Sequence, residues 1–71
     1  MRHSIIVPEF VYDYLDTLRD ERLKRNLLIS ELSKVVNVSV TTIVAYEYGR
    51  KPAKKSYNKL AAFFNWKEWL S

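Results

Sequence analysis

Apolar residues recur along this chain at intervals of three and four rather than two, the spacing of helices with one face turned inward. From residue 8 to about 25, Val11, Leu15, Leu18 and Arg22 follow one another at four, three and four, with Tyr14 beside them. Pro8 suits the first helical position, where its missing N–H costs nothing. The spacing predicts one helix over this stretch, stopped at Asn26, a residue that accepts a left-handed backbone. Residues 27–36 support a second helix, with Leu28, Leu32 and Val35 or Val36 inward. Residues 56–64 support another, capped by Ser56, carrying Leu60, Ala61, Phe63 and Phe64, and broken by Asn65. "WKEWL" then forms a last short turn or helix. Phe63, Phe64, Trp66 and Trp69 are assigned to the core; Trp66 or Trp69 left exposed would instead form a self-association patch.

The stretch "NVSVTTIVAYEYG", residues 37–49, pulls two ways. Its Val and Thr residues and Ile43 are β-branched, the class that strands favour. Its punctuation is helical, with Ser39 able to cap the first turn and Gly49 placed just past the end. No other segment supplies a strand to pair with it. A helix with Ile43 and Tyr46 inward is therefore predicted, at a cost of a few tenths of a kcal/mol for each β-branched residue. Residues 1–7 are left as an N-terminal arm, and 8–71 as one domain. The expected fold is all-α, a compact bundle of four to five short helices.

Composition narrows the chemistry. Seventy-one residues lie near the lower limit for a core without staples, and there is no cysteine. No apolar run approaches the ~20 residues of a membrane span, and no signal-peptide pattern opens the chain, so a cytoplasmic location is expected. The formal charge of +4 conceals an asymmetry. Residues 1–21 set Arg2 and Arg19 against Glu9, Asp13, Asp16, Asp20 and Glu21; the rest sets ten basic groups against Glu31, Glu47 and Glu68. A basic excess suggests a polyanion such as nucleic acid, and an acidic N-terminal third suggests a basic partner.

Two charged sets follow. Glu9, Asp13, Asp16 and Asp20 are spaced four, three and four, within an arc of ~80° almost opposite Leu18. Such a stripe is either a solvated helix face or a surface for a cationic partner. Arg50, Lys51, Lys54 and Lys55 lie in and after the basic loop "GRKPAKK", either as phosphate contacts or as solvated charge. Enzymatic chemistry has no support: His3 is the only histidine, and no thiol, glycine-rich loop or inward carboxylate pair is present. No metal, cofactor or small-molecule ligand is expected.

Leu27, Glu31-Leu32, Val38-Ser39, Thr42-Ile43 and Glu47-x-Gly49, followed by the basic loop, resemble the helix-turn-helix of the phage Cro/repressor (XRE-like) family over about residues 18–70. That resemblance implies a lambda-repressor-like fold and a pair between Arg22 and Glu47 tying the first helix to the recognition helix. It implies phosphate contacts from Arg50, Lys51, Lys54 and Lys55, with Ser39 and Thr41 facing DNA. The chain departs from the pattern at Asn37, where Gly is usual, at Leu28, where Ser or Thr caps, and at Ile29, where Gln reaches a phosphate. The base-reading positions fall on Val40, Thr41, Val44 and Ala45, of which only Thr41 can hydrogen-bond a base. With the opening "MRHSIIVPEFVYDYLDTLRDERLKRN", the chain resembles the small antirepressors of lactococcal temperate phages. This implies, in a bacterial host cell, a partner in the phage repressor's N-terminal DNA-binding domain. Glu9, Asp13, Asp16 and Asp20 would meet its basic groups, with Val40 and Val44 as apolar anchors. A Cro-like protein that binds operator DNA itself is the alternative.

Overall fold

A computed structural model of the chain describes residues 7–70. Five helices follow in order: α1 (Glu9–Asp16), α2 (Leu18–Lys24), α3 (Ile29–Val36), α4 (Val40–Glu47) and α5 (Lys54–Phe64), with no strand among the described residues. The expected arm and His3 lie outside the described residues, except for Val7, which packs half-buried against the core.

The single helix expected over residues 8–25 is two. Thr17 causes the break: its hydroxyl and its own N–H both reach the Tyr14 carbonyl, at 2.8 and 3.0 Å. A threonine bonding back in this way competes with the helical ladder. Pro8 stands just outside α1 as its cap residue, with ψ 144°, rather than at the first helical position. Val11, Leu15, Leu18 and Arg22 nevertheless share one buried face across the break.

α3 begins later than expected, and Leu28 does not face inward. It is the cap residue, extended and 65% exposed, and its backbone N–H is held by the Glu31 carboxylate at 2.8 Å. Leucine offers no side-chain acceptor in return, so only half of a capping box forms. Leu32 and Val36 are buried, Val35 is exposed, and Leu27 and Ile29 pack at the core's edge.

α4 is a helix despite its β-branched composition. Ser39 accepts the Thr42 N–H at 3.2 Å, and Ile43 and Tyr46 are buried. Its far end closes with Gly49 N–H to the Tyr46 carbonyl at 3.0 Å and Arg50 N–H to the Ala45 carbonyl at 2.9 Å. That motif requires a left-handed residue, and Gly49 supplies it at φ 90°. Asn26, Asn37 and Asn65 close α2, α3 and α5 with φ between 55° and 64°.

α5 starts at Lys54, two residues before the Ser56 cap expected from sequence. The tie comes from α4 instead: the Tyr46 hydroxyl accepts the Ala53 N–H at 3.0 Å, and the Ala53 carbonyl accepts the first helical bond, from Tyr57. Among the described residues no helix follows Asn65. Residues 66–70 run as an irregular tail, with the Asn58 amide bonding both the N–H and the carbonyl of Trp69, at 2.8 and 3.0 Å. The Tyr57 hydroxyl donates to the Lys67 carbonyl at 2.8 Å. These side-chain bonds replace the helical ones the tail lacks, and they bury Trp69. Trp66, half-buried, stacks on Tyr14 and Phe64 at centroid distances of 5.5 and 4.8 Å. Phe63 stays exposed, against its assignment to the core.

Arg22 ties α2 to α4. Its Nε and Nη2 reach the two Glu47 oxygens at 2.9 and 3.3 Å, and Nη1 donates to the Leu27 carbonyl at 2.9 Å. Both side chains are about nine-tenths buried. Replacing Glu47 by Ala leaves a buried guanidinium without its counter-charge and should lower the unfolding free energy by about 3 kcal/mol in urea titrations. Joint replacement of Arg22 by Met and Glu47 by Leu should cost far less, since no unpaired charge remains.

Burial first, and then Tyr14 nearby, push the Tyr57 phenol up to about 12 from an ordinary 10.0. The unfolded chain loses that proton first, so stability should hold up to about pH 10 and fall as the pH rises toward 12. An absorbance titration should show one of the five tyrosines ionising last.

Candidate recognition surface

α3, the Asn37 turn and α4 form the helix-turn-helix, and the Arg22–Glu47 pair anchors α4 from its inner side. On the outer side, Val40 and Thr41 are exposed, Val44 and Ala45 half-buried, and Tyr48, just past the helix, 87% exposed. Val40, Val44 and Tyr48 succeed one another at the four-residue helical spacing, so they form one apolar stripe.

Val44 and Tyr48 share a groove of about 340 Å³ with Ile29 of α3 and Arg19 of α2, beside the Arg22–Glu47 pair. The side chain at position 29, where the resemblance expects a phosphate-reaching Gln, thus adds to this apolar surface. Arg19 is a member of the groove that sequence reading missed. Its only signal is its place one helical turn before Arg22.

Two of the hydroxyls on this face are engaged with each other. Ser39 Oγ accepts the Thr42 N–H and donates to Thr42 Oγ1 at 2.7 Å, so its proton is taken up by the cap. Thr41 keeps an exposed hydroxyl. It lines a second groove of about 340 Å³, between α4 and α5, with Ala45, Arg50, Lys51 and Ser56. The basic set therefore divides: Arg50 and Lys51 flank Thr41, whereas Lys54 and Lys55 line a different furrow on α5 with Asn58, Lys59 and Ala62.

The acidic set spans the Thr17 break, with Glu9, Asp13 and Asp16 on α1 and Asp20 on α2, all exposed. Among the described residues no ion pair reaches any of the four. Glu21 takes the neighbouring cations instead, Arg25 at 2.7 Å and Lys24 at 3.6 Å. The Arg25 hydrogen bond is the main reason its carboxyl sits below the usual range. No cluster among the described residues could hold a metal ion, and no helix there is long and apolar enough to cross a membrane.

A family profile described as helix-turn-helix matches residues 18–68, which takes in α2 to α5 and leaves α1 outside. No curated protein and no solved structure matches the chain.

On duplex DNA, each lost phosphate contact flattens the slope of log affinity against log salt by about 0.9. If Arg50 and Lys51 each hold a phosphate, replacing both by Gln flattens it by about 1.8, as read by fluorescence anisotropy across a salt series.

Proposed function

We propose that this chain, which belongs to the helix-turn-helix family of DNA-binding transcription regulators, acts in a phage genetic switch as an antirepressor. It occupies the DNA-binding domain of the phage repressor and keeps that domain off its operator. The observation that carries this reading is the outer side of α4. It offers two uncommitted hydroxyls, of Thr41 and Tyr48, among Val40, Val44 and Ala45. Reading a base edge with discrimination takes bidentate donors and acceptors such as Arg, Asn or Gln, and none stands there.

Glu9, Asp13, Asp16 and Asp20 support the same reading from the other side. Four exposed carboxylates with no cation paired to them among the described residues suit a surface rich in Arg and Lys, which is what a repressor turns toward DNA. Val40 and Val44 offer apolar contacts. The resemblance of the opening residues to lactococcal phage antirepressors agrees with this.

A second reading, a Cro-like repressor that binds operator DNA directly, is favoured by the family itself and by the placing of Arg50 and Lys51 beside Thr41. Titration of the repressor's N-terminal domain, alone and on operator duplex, separates the two. The antirepressor reading expects a salt-sensitive complex that displaces operator and that weakens when Asp13 and Asp16 become Asn. Absence of any complex at low salt, together with tight, competitor-resistant operator binding by this chain alone, would establish the Cro-like reading instead.

A further inference from the structure

The groove between α2, α3 and α4 holds a positive charge that no described residue answers. Ile29, Val44 and Tyr48 give it apolar walls, the Arg22–Glu47 pair lies at its side, and Arg19 completes it, in a volume of about 340 Å³. The pair is closed on itself. Arg22 commits Nε and Nη2 to the two Glu47 oxygens and Nη1 to the Leu27 carbonyl. Arg19 differs: it is exposed, and among the described residues it has neither a hydrogen bond nor an ion pair, although Asp16 and Asp20 are close to it in sequence. The Tyr48 ring is equally uncommitted, 87% exposed and in contact with no other ring or cation among the described residues.

These features define an occupant. A guanidinium presents its N–H donors in a rigid fork that fits a carboxylate or a phosphate with two parallel bonds, and its weak hydration suits it to an interface. The walls decide between the two anions. A DNA phosphate brought against Ile29, Val44 and the Tyr48 ring would lose water there and gain no hydrogen bond in return. A Glu or Asp of a protein arrives on an aliphatic stem among apolar neighbours, so the walls are covered as the charge is met. On a helix, residues three or four apart hold their Cβ atoms ~5–6 Å from each other, so a single turn supplies both a carboxylate and an aliphatic side chain. A volume of about 340 Å³ lies at the small end of the ~300–1,000 Å³ of binding clefts, and suits a pair of side chains better than a large ligand.

We propose that this groove docks an acidic, apolar helical turn of the repressor's N-terminal domain. A Glu or Asp of that turn pairs with Arg19, and an aliphatic side chain one turn away packs on Ile29, Val44 and Tyr48. The proposal rests on the antirepressor reading and adds to it a contact of opposite sign, since here the repressor supplies the anion. Contacts of both signs fix orientation, because a partner docked the wrong way round sets like charges together. Arg19 therefore contributes register as well as attraction.

The test titrates the repressor's N-terminal domain with the wild type and with Arg19→Glu and Tyr48→Ala. Both positions are exposed, and unchanged helical circular dichroism and Tm confirm that the variants fold. Arg19→Glu should weaken the complex at least about tenfold, and Tyr48→Ala at least about fivefold. Each Asp and Glu of the repressor domain is then replaced by Arg in turn. One of these variants should lose affinity for the wild type and regain it against Arg19→Glu. Wild-type affinity in Arg19→Glu or in Tyr48→Ala overturns the proposal and leaves the antirepressor reading standing. A loss that no repressor variant rescues overturns it too. Failure of the wild type to form any complex ends both. Weaker binding of Arg19→Glu to operator duplex, with repressor affinity unchanged, also overturns it and assigns the groove to a phosphate.

Discussion

The Arg22 guanidinium is the fixed point of this fold. It holds both oxygens of Glu47 on α4 and the carbonyl of Leu27, where the chain turns from α2 toward α3. One planar group thus sets the position of one helix and the path into another. α4 depends on this more than its neighbours do. Its β-branched residues give it weak intrinsic helicity, so its form comes from the Ser39 cap, the buried Ile43 and Tyr46, and this anchor. Because Ile43 and Tyr46 turn into the core, the stripe of Val40, Val44 and Tyr48 faces away from it, with the ion pair beside the stripe.

The charges of the chain are separated by element. The residues matched by the family profile carry the basic loop and the recognition helix, whereas α1, which precedes them, carries three of the four stripe carboxylates. The part that makes this a helix-turn-helix protein and the part that carries the acidic stripe are thus adjacent pieces of one small core. Phe10 and Tyr14 of α1 join the aromatic cluster of Tyr57, Phe64 and Trp66, so the acidic helix is packed into the domain and is no loose appendage.

What could be read from the sequence was what depends on neighbours along the chain. Helical spacing located the inward residues Val11, Leu15, Leu18, Leu32, Ile43 and Leu60, and Asn26 and Asn65 were legible as helix ends. The apolar outer side of α4 was legible for the same reason, since a helix's faces follow from its period. The misreadings share a different cause. Thr17 splits a helix by bonding back to Tyr14; Tyr46 starts α5 from seven residues away; Asn58 holds, eleven residues on, an irregular tail where a short turn or helix was expected. Each is a side-chain-to-backbone bond, and two of the three depend on the finished fold. Arg19 escaped notice because its groove is assembled from three helices at once.

The hydrogen bond from Ala53 to Tyr46 has an entropic consequence. It closes the segment after α4 into a short ring, with the Gly49 turn at one end and a core tyrosine at the other. Arg50 and Lys51 are thereby carried on backbone whose freedom was already surrendered in folding. A polyanion meeting them need order only their side chains, so more of the attraction survives as affinity than it would on a slack loop.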